Sequence, residues 1–173
     1  DPMKNVNGKL IPKSATVWQR AIKLLDNWKT PTDDFGPVST WTDQEVLVID
    51  SLTFLSNAAM NFVLAMNARL GQQAHQSDWY SGQQLVEGLL QTLYDVGIKC
   101  NVIVIAHITY IGEENGPVRG YPNTLGKALP PKVGRYFNTI LMARSGGSGQ
   151  NVKREILTNT SGVVELKDTS PTK

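Results

Sequence analysis

The chain has 173 residues, of which 40% are hydrophobic and 18% charged. That is enough apolar material for one globular core, and it excludes wholesale disorder, collagen and coiled coil. Seventeen Lys and Arg against 15 Asp and Glu leave a formal net charge of +2, so no global field drives the chain toward nucleic acid or an anionic membrane, and any DNA contact has to be local.

The single cysteine, Cys100, rules out an internal disulfide, no apolar run approaches the roughly 20 residues of a membrane span, and no charged leader precedes an apolar stretch. A cytoplasmic protein without membrane contact is expected. Residues 1–13 are polar. Ala15, Val17, Trp18, Ala21, Ile22, Leu24, Leu25 and Trp28 then recur at three- and four-residue spacing, which predicts an amphipathic helix with Ser14 or Thr16 as N-cap. Pro31, Gly36 and Pro37 end that pattern. Glu45-Val-Leu-Val-Ile-Asp50 is too short for a helix and too continuous for a half-exposed strand, so it reads as a strand buried on both faces.

Apolar spacing predicts a helix over 57–70, a polar surface loop over 71–77, and a second helix over 80–96 closed by Gly97. Asn101-Val-Ile-Val-Ile-Ala106-His107 reads as another doubly buried strand. The alternation of strand and helix implies an α/β fold with a parallel sheet. Residues 109–132 hold four Gly and four Pro, which predicts a long irregular loop. Strands are expected over 136–143, 153–158 and 163–166, with Gly146-Gly147-Ser148-Gly149 and residues 159–162 as turns of an antiparallel edge.

In open parallel sheets ligands bind beyond the carboxyl ends of the strands. Those ends are closed by Asp50, Ser51 and His107. An aspartate after Val-Leu-Val-Ile has the form of a Walker B carboxylate, which holds magnesium through water; it equally suits a cap for the helix that follows. His107 suits either a packed strand end or a sensor whose hydrogen bond depends on a bound nucleotide.

The order of these segments resembles the RecA-like P-loop ATPase family over roughly residues 45–168. Val46-Leu-Val-Ile-Asp50-Ser51-Leu52-Thr53 resembles the Walker B strand. Val102-Ile-Val-Ile-Ala-His107-Ile-Thr-Tyr-Ile-Gly112 resembles the next strand with its polar switch residue. Leu125-Gly126-Lys127-Ala128-Leu129-Pro130 is similar to the segment that ends the second DNA-binding loop of RecA and RadA proteins. Phage-encoded RecA-like ATP-binding recombination and annealing proteins are the nearest in pattern, and they imply a bacterial or phage-infected cytoplasm.

The resemblance implies a RecA-like, mostly parallel sheet flanked by helices with an antiparallel C-terminal edge, and ATP and Mg2+ as cofactors. Asp50 would sit in the magnesium shell supported by Ser51, and His107 would report the γ-phosphate. The loops at 71–82 and 109–126 would face single-stranded DNA, with Tyr80, Tyr110, Arg119 and Tyr121 stacking on bases or pairing with phosphates; Glu113 and Glu114 in the same loop oppose phosphate. A homo-oligomer with ATP sites between subunits is implied, and Lys127, Arg135, Arg144, Lys153 and Arg154 are the candidate cations to reach a neighbour's nucleotide.

No Gly-x-x-x-x-Gly-Lys-Ser/Thr loop occurs anywhere in the chain, although that loop supplies the N–H cradle, the lysine and the magnesium hydroxyl of the family. The segment from Gly120 to Lys127 has the wrong glycine spacing and lacks the hydroxyl. The expectation is therefore a partial domain over residues 1–173, its first strand, P-loop and catalytic glutamate lying before Asp1, so that the chain alone is inactive as an ATPase. A degenerate, nucleotide-independent scaffold or assembly subunit is the alternative. A serine hydrolase built on Ser51, His107 and Asp50 is a third, weakened by the lack of a Gly-x-Ser-x-Gly elbow.

Overall fold

The computed structural model describes residues 5–6, 9–10, 15–112, 116–148, 151–160 and 162–169. Ser14, Glu113, Glu114 and Gly149, weighed above, lie outside them. Along the chain the elements are β1 (Asn5–Val6), β2 (Lys9–Leu10), α1 (Val17–Asp26), β3 (Val46–Asp50), α2 (Leu52–Met66), α3 (Gln76–Tyr94), β4 (Asn101–Ile105), β5 (Ile108–Ile111), β6 (Arg119–Pro122), α4 (Pro130–Val133), β7 (Met142–Gly146) and β8 (Lys153–Leu157). The fold is mixed α/β. Of its four strand pairs among the described residues, β3–β4 is parallel and β1–β2, β5–β6 and β7–β8 are antiparallel.

The parallel pair is in register from Val46 opposite Asn101 to Asp50 opposite Ile105. Its connection runs through α2 and α3, which pack on each other and on one face of the pair. Leu47 is buried on that face, with Ile49, Val102 and Val104 beside it, and the same hydrophobic cluster takes in Trp18, Val38, Leu52, Met60, Val86, Leu90, Leu129 and Val133. The other face corrects the expectation of doubly buried strands. Val46, Val48, Ile103 and Ile105 are 48%, 49%, 51% and 46% exposed, because the crossover helices cover one side only. A continuous β-branched run reports that both faces are apolar, not that both are covered.

Several boundaries also differ from expectation. The first long helix begins at Leu52, not 57, because Thr53 and Ser56 are buried on its core side and small polar side chains interrupt an apolar count without interrupting a helix. The expected loop at 71–82 is shorter, since α3 starts at Gln76 and already contains Tyr80. A single carboxylate organises that start. Asp78 is 0% exposed and accepts from the Arg69 Nε at 2.8 Å and its Nη2, from the Asn67 amide at 2.7 Å and from the His75 backbone N–H at 2.8 Å. Hydrogen bonds from the Arg69 guanidinium, joined by those of His75 and Asn67, hold the Asp78 carboxyl well below the usual carboxylate range against the opposing effect of burial.

The 109–132 segment is only in part irregular among its described residues. It holds the β5–β6 hairpin and α4, and Gly120 makes the hairpin's close approach possible: a Cβ there would lie 2.9 Å from Val164 Cγ2. The strand expected at 136–143 begins at Met142, after a 3-10 turn at Gly134–Tyr136. The segment 163–166 forms no strand but a single bridge, Gly120 to Val164, followed by one from Ile140 to Lys167 just beyond it. β7 and β8 pair antiparallel as expected, but as a separate two-stranded sheet and not as the edge of a mostly parallel one, and no described helix is long and apolar enough to cross a membrane.

Candidate functional site at the carboxyl ends of the parallel strands

Because β3 and β4 run parallel and in register, Asp50 and His107 emerge from the same end of two neighbouring strands. Between them sits the start of α2. Ser51 is its N-cap, with extended backbone and a hydroxyl that accepts the Phe54 N–H at 3.5 Å. The aspartate-cap alternative is thereby removed: the cap is Ser51, and the exposed Asp50 carboxylate makes no hydrogen bond or ion pair to another described residue. The Asp50–Ser51 peptide is cis.

Thr53, in the first turn of α2, was missed by sequence reasoning and holds the site together. Its buried hydroxyl accepts the His107 backbone N–H at 3.1 Å and donates to the Asn123 carbonyl at 3.0 Å. The Asn123 N–H in turn donates to the His107 carbonyl at 2.7 Å. The end of β4 and the exit from the β5–β6 hairpin are thus tied to the same helix turn. The exposed His107 imidazole meets the Phe54 ring edge-on, with centroids 5.5 Å apart. A threonine three residues after a strand-end aspartate was the available signal, but its partner 70 residues away is visible only in the fold.

Among the described residues no hydrogen bond links the Ser51 hydroxyl to the His107 imidazole. Ser51 is 5% exposed and engaged in capping, so the arrangement lacks the nucleophile–base contact of a serine hydrolase.

The remaining predicted residues do not converge on Asp50 by any described contact. Leu125, Leu129 and Pro130 of the family-like segment are buried while Lys127 is exposed; the segment anchors the core, and Gly126, at φ +65°, turns the chain where a Cβ would lie 2.5 Å from Gln83 Nε2. Arg154 and Lys153 are exposed on β8, and Arg144 on β7 pairs with Glu155 at 2.9 Å. Arg135 lies over the Tyr136 ring at 5.8 Å. Tyr80 is exposed on α3. Tyr110, Arg119 and Tyr121 do share the hairpin, but alternation divides them. Tyr110 stands opposite Gly120, on one face, whereas Tyr121 and Arg119 stand opposite Thr109 and Ile111, on the other. Arg119 also pairs with Glu165 at 3.6 Å.

The fit to magnesium and ATP is partial. No three His, Cys, Asp or Glu side chains cluster as metal ligands among the described residues. The groove beside Asp50 is walled by the apolar side chains of Ala21, Leu25, Trp28, Phe54 and Ala58, which offer no donors to a triphosphate. Comparison with family models, with curated proteins and with solved structures gives no match.

Proposed function

We propose that the chain is the carboxylate-and-sensor portion of a RecA-like ATPase core acting in phage-type DNA recombination, repair or replication. Asp50 stands in the water shell of magnesium, and His107 reads the nucleotide state. The observation that supports this reading most is the released carboxylate. Ser51 does the capping, which leaves Asp50 exposed and unengaged at the carboxyl end of a parallel strand, one strand from His107, where open α/β sheets bind ligands. The triphosphate cradle has to come from outside these 173 residues, and cations such as Lys127 and Arg154 are candidates to act across subunits of a homo-oligomer. Single-stranded DNA is the partner for the β5–β6 hairpin, which is joined to the sensor through Thr53 and Asn123.

Mn2+ as a paramagnetic stand-in for Mg2+ tests the reading on the chain itself. It should selectively broaden the amide signals around Asp50 and His107 in wild type and lose that selectivity in Asp50→Asn. Uniform broadening would leave Asp50 without a metal role. The exposed apolar face of β3–β4 favours a second reading, an assembly subunit that needs no nucleotide. That reading expects self-association on sedimentation and no Mn2+ preference at Asp50.

A further inference from the structure

At the amino end of β3, roughly 16 Å along the strand from Asp50, a second pocket of about 490 Å³ is lined chiefly by Trp28, Phe35, Thr40, Trp41, Thr42 and Glu45. That volume suits a small-molecule site, and the whole lining belongs to one continuous described segment, 28–46. Its walls are held in place by the segment itself. The Trp28 N–H donates to the Gly36 carbonyl at 2.8 Å and the Phe35 N–H to the Trp28 carbonyl at 2.9 Å, and the Lys29 ammonium pairs with Asp34 at 3.0 Å. The Trp41 indole N–H donates to the Phe35 carbonyl at 2.9 Å. That bond fixes the Trp41 ring beside that of Trp28, with centroids 5.6 Å apart and planes inclined at 56°. Phe35 lines the same pocket and is 54% exposed.

The polar side chains of the lining are already engaged. The Thr40 hydroxyl donates to the Pro37 carbonyl at 2.7 Å. The Thr42 backbone N–H and hydroxyl both donate to one oxygen of the Glu45 carboxylate, at 2.6 and 2.7 Å, and these bonds hold the Glu45 carboxyl below its usual range. Glu45 is therefore anionic at neutral pH. The surrounding charge has the same sign: residues 26–46 carry five acidic side chains and one basic, Lys29, in a chain of net charge +2, and Lys29 is taken up by Asp34. We propose that this pocket binds a quaternary ammonium head group. Such a cation is attracted by aromatic faces and by a carboxylate, and it brings no hydrogen-bond donor that needs a partner. A primary ammonium or a guanidinium brings three or five donors, for which the engaged lining has little to offer. The proposal needs neither ATP nor DNA and uses neither Asp50 nor His107.

The probe is choline chloride, titrated into the full chain at constant ionic strength while indole and backbone N–H signals are followed by NMR. Saturable shifts are expected at the Trp28 and Trp41 indoles and at the Thr42 and Glu45 amides, not at Phe54 beside Asp50, with a dissociation constant of about 1 mM. The uncharged isostere, in which carbon replaces the ammonium nitrogen, should bind roughly tenfold more weakly. Glu45→Gln keeps an acceptor for Thr42, and Phe35→Ala trims an exposed ring. Each should weaken choline binding by roughly threefold or more with circular dichroism unchanged. If either variant unfolds, the uncharged isostere still decides, since it leaves the protein unaltered. A short peptide carrying trimethyllysine identifies the source of the head group: binding roughly tenfold tighter than choline places it on a protein side chain, and equal or weaker binding places it on a free small molecule. No saturable shift up to about 20 mM choline, or equal affinity for choline and its uncharged isostere, overturns the proposal. Equal affinity for the trimethyllysine peptide and its unmethylated form, or unchanged choline affinity in both folded variants, overturns it as well.

Discussion

The Thr53 hydroxyl accepts the backbone N–H of His107 at 3.1 Å and donates to the Asn123 carbonyl at 3.0 Å, so one side chain of α2 fixes the end of β4 and the exit of the β5–β6 hairpin. Thr53→Val keeps the shape and removes both bonds. Two part-buried backbone groups then lose their protein partner, and a loss of about 1–2 kcal/mol is expected in urea unfolding. Thr53→Ser, which keeps the hydroxyl, should recover most of it. Equal losses in the two variants would mean that the methyl packing, and not the hydrogen bonds, carries the contact.

Asp50 and Ser51 separate function from capping in adjacent residues. Ser51→Ala should cost about 0.5–1 kcal/mol, toward the low end for an N-cap because the bond to Phe54 is long. Asp50→Asn should leave the melting temperature near wild type, since the exposed carboxylate has no partner to lose among the described residues, a change within about 0.5 kcal/mol. A destabilisation by Asp50→Asn larger than that of Ser51→Ala would restore Asp50 to a capping role and remove the structural support for a metal carboxylate.

Asp78 gives the fold an acid limit. Its carboxyl is held below its ordinary value in the folded state, chiefly by Arg69. The stability it supplies is therefore complete above the unfolded carboxylate value, near pH 4, and is lost as pH falls further toward the folded value. Melting temperature measured from pH 7 to pH 2 should decline below about pH 4 in wild type. Asp78→Asn should start lower, by on the order of 10 °C, because it breaks a buried ion pair and leaves Arg69 uncompensated, and should decline less steeply. Parallel curves for the two proteins would place the acid sensitivity elsewhere.

The sequence revealed the strands that matter and concealed how they are covered. Val46–Asp50 and Asn101–Ile105 are legible because they are short, rich in β-branched residues and too brief for a typical helix, and the strand-end positions of Asp50 and His107 follow from them. The exposed face of Val46, Val48, Ile103 and Ile105 is not legible, because the same composition serves a covered and an uncovered sheet. Thr53 is hidden for a different reason: a buried hydroxyl bridging residues 54 and 70 positions away leaves no local pattern. The hairpin was obscured by the glycines and prolines of 109–132, which mark irregular chain as readily as the tight approach of Gly120 to Val164.

Gly126 tests whether the family-like segment 125–130 is an anchor. At φ +65° an alanine is strained, and its Cβ would displace the Gln83 amide that donates to the Leu125 carbonyl at 3.3 Å. Gly126→Ala should cost about 1–2 kcal/mol by thermal unfolding. Lys127→Ala, exposed and next in sequence, should cost almost nothing. Equal and negligible effects would show that the segment bears no load in the core.

The hairpin supplies the sharpest test of a DNA interface, because Tyr110 and the pair Tyr121 and Arg119 lie on opposite faces. A single strand crossing one face stacks on one tyrosine. Tyr110 is 56% exposed, whereas Tyr121 is half-buried and Arg119 is engaged with Glu165. The Tyr110 face is the expected one. Tyr110→Ala should weaken binding of an oligothymidylate by roughly tenfold, the loss of one stacked base, while Tyr121→Ala and Arg119→Ala leave it near wild type. Fluorescence anisotropy at one fixed salt concentration measures this, since phosphate contacts make the affinity salt-dependent. A loss confined to Tyr121→Ala or Arg119→Ala would assign the other face, and unchanged affinity in all three variants would remove the hairpin from the interface.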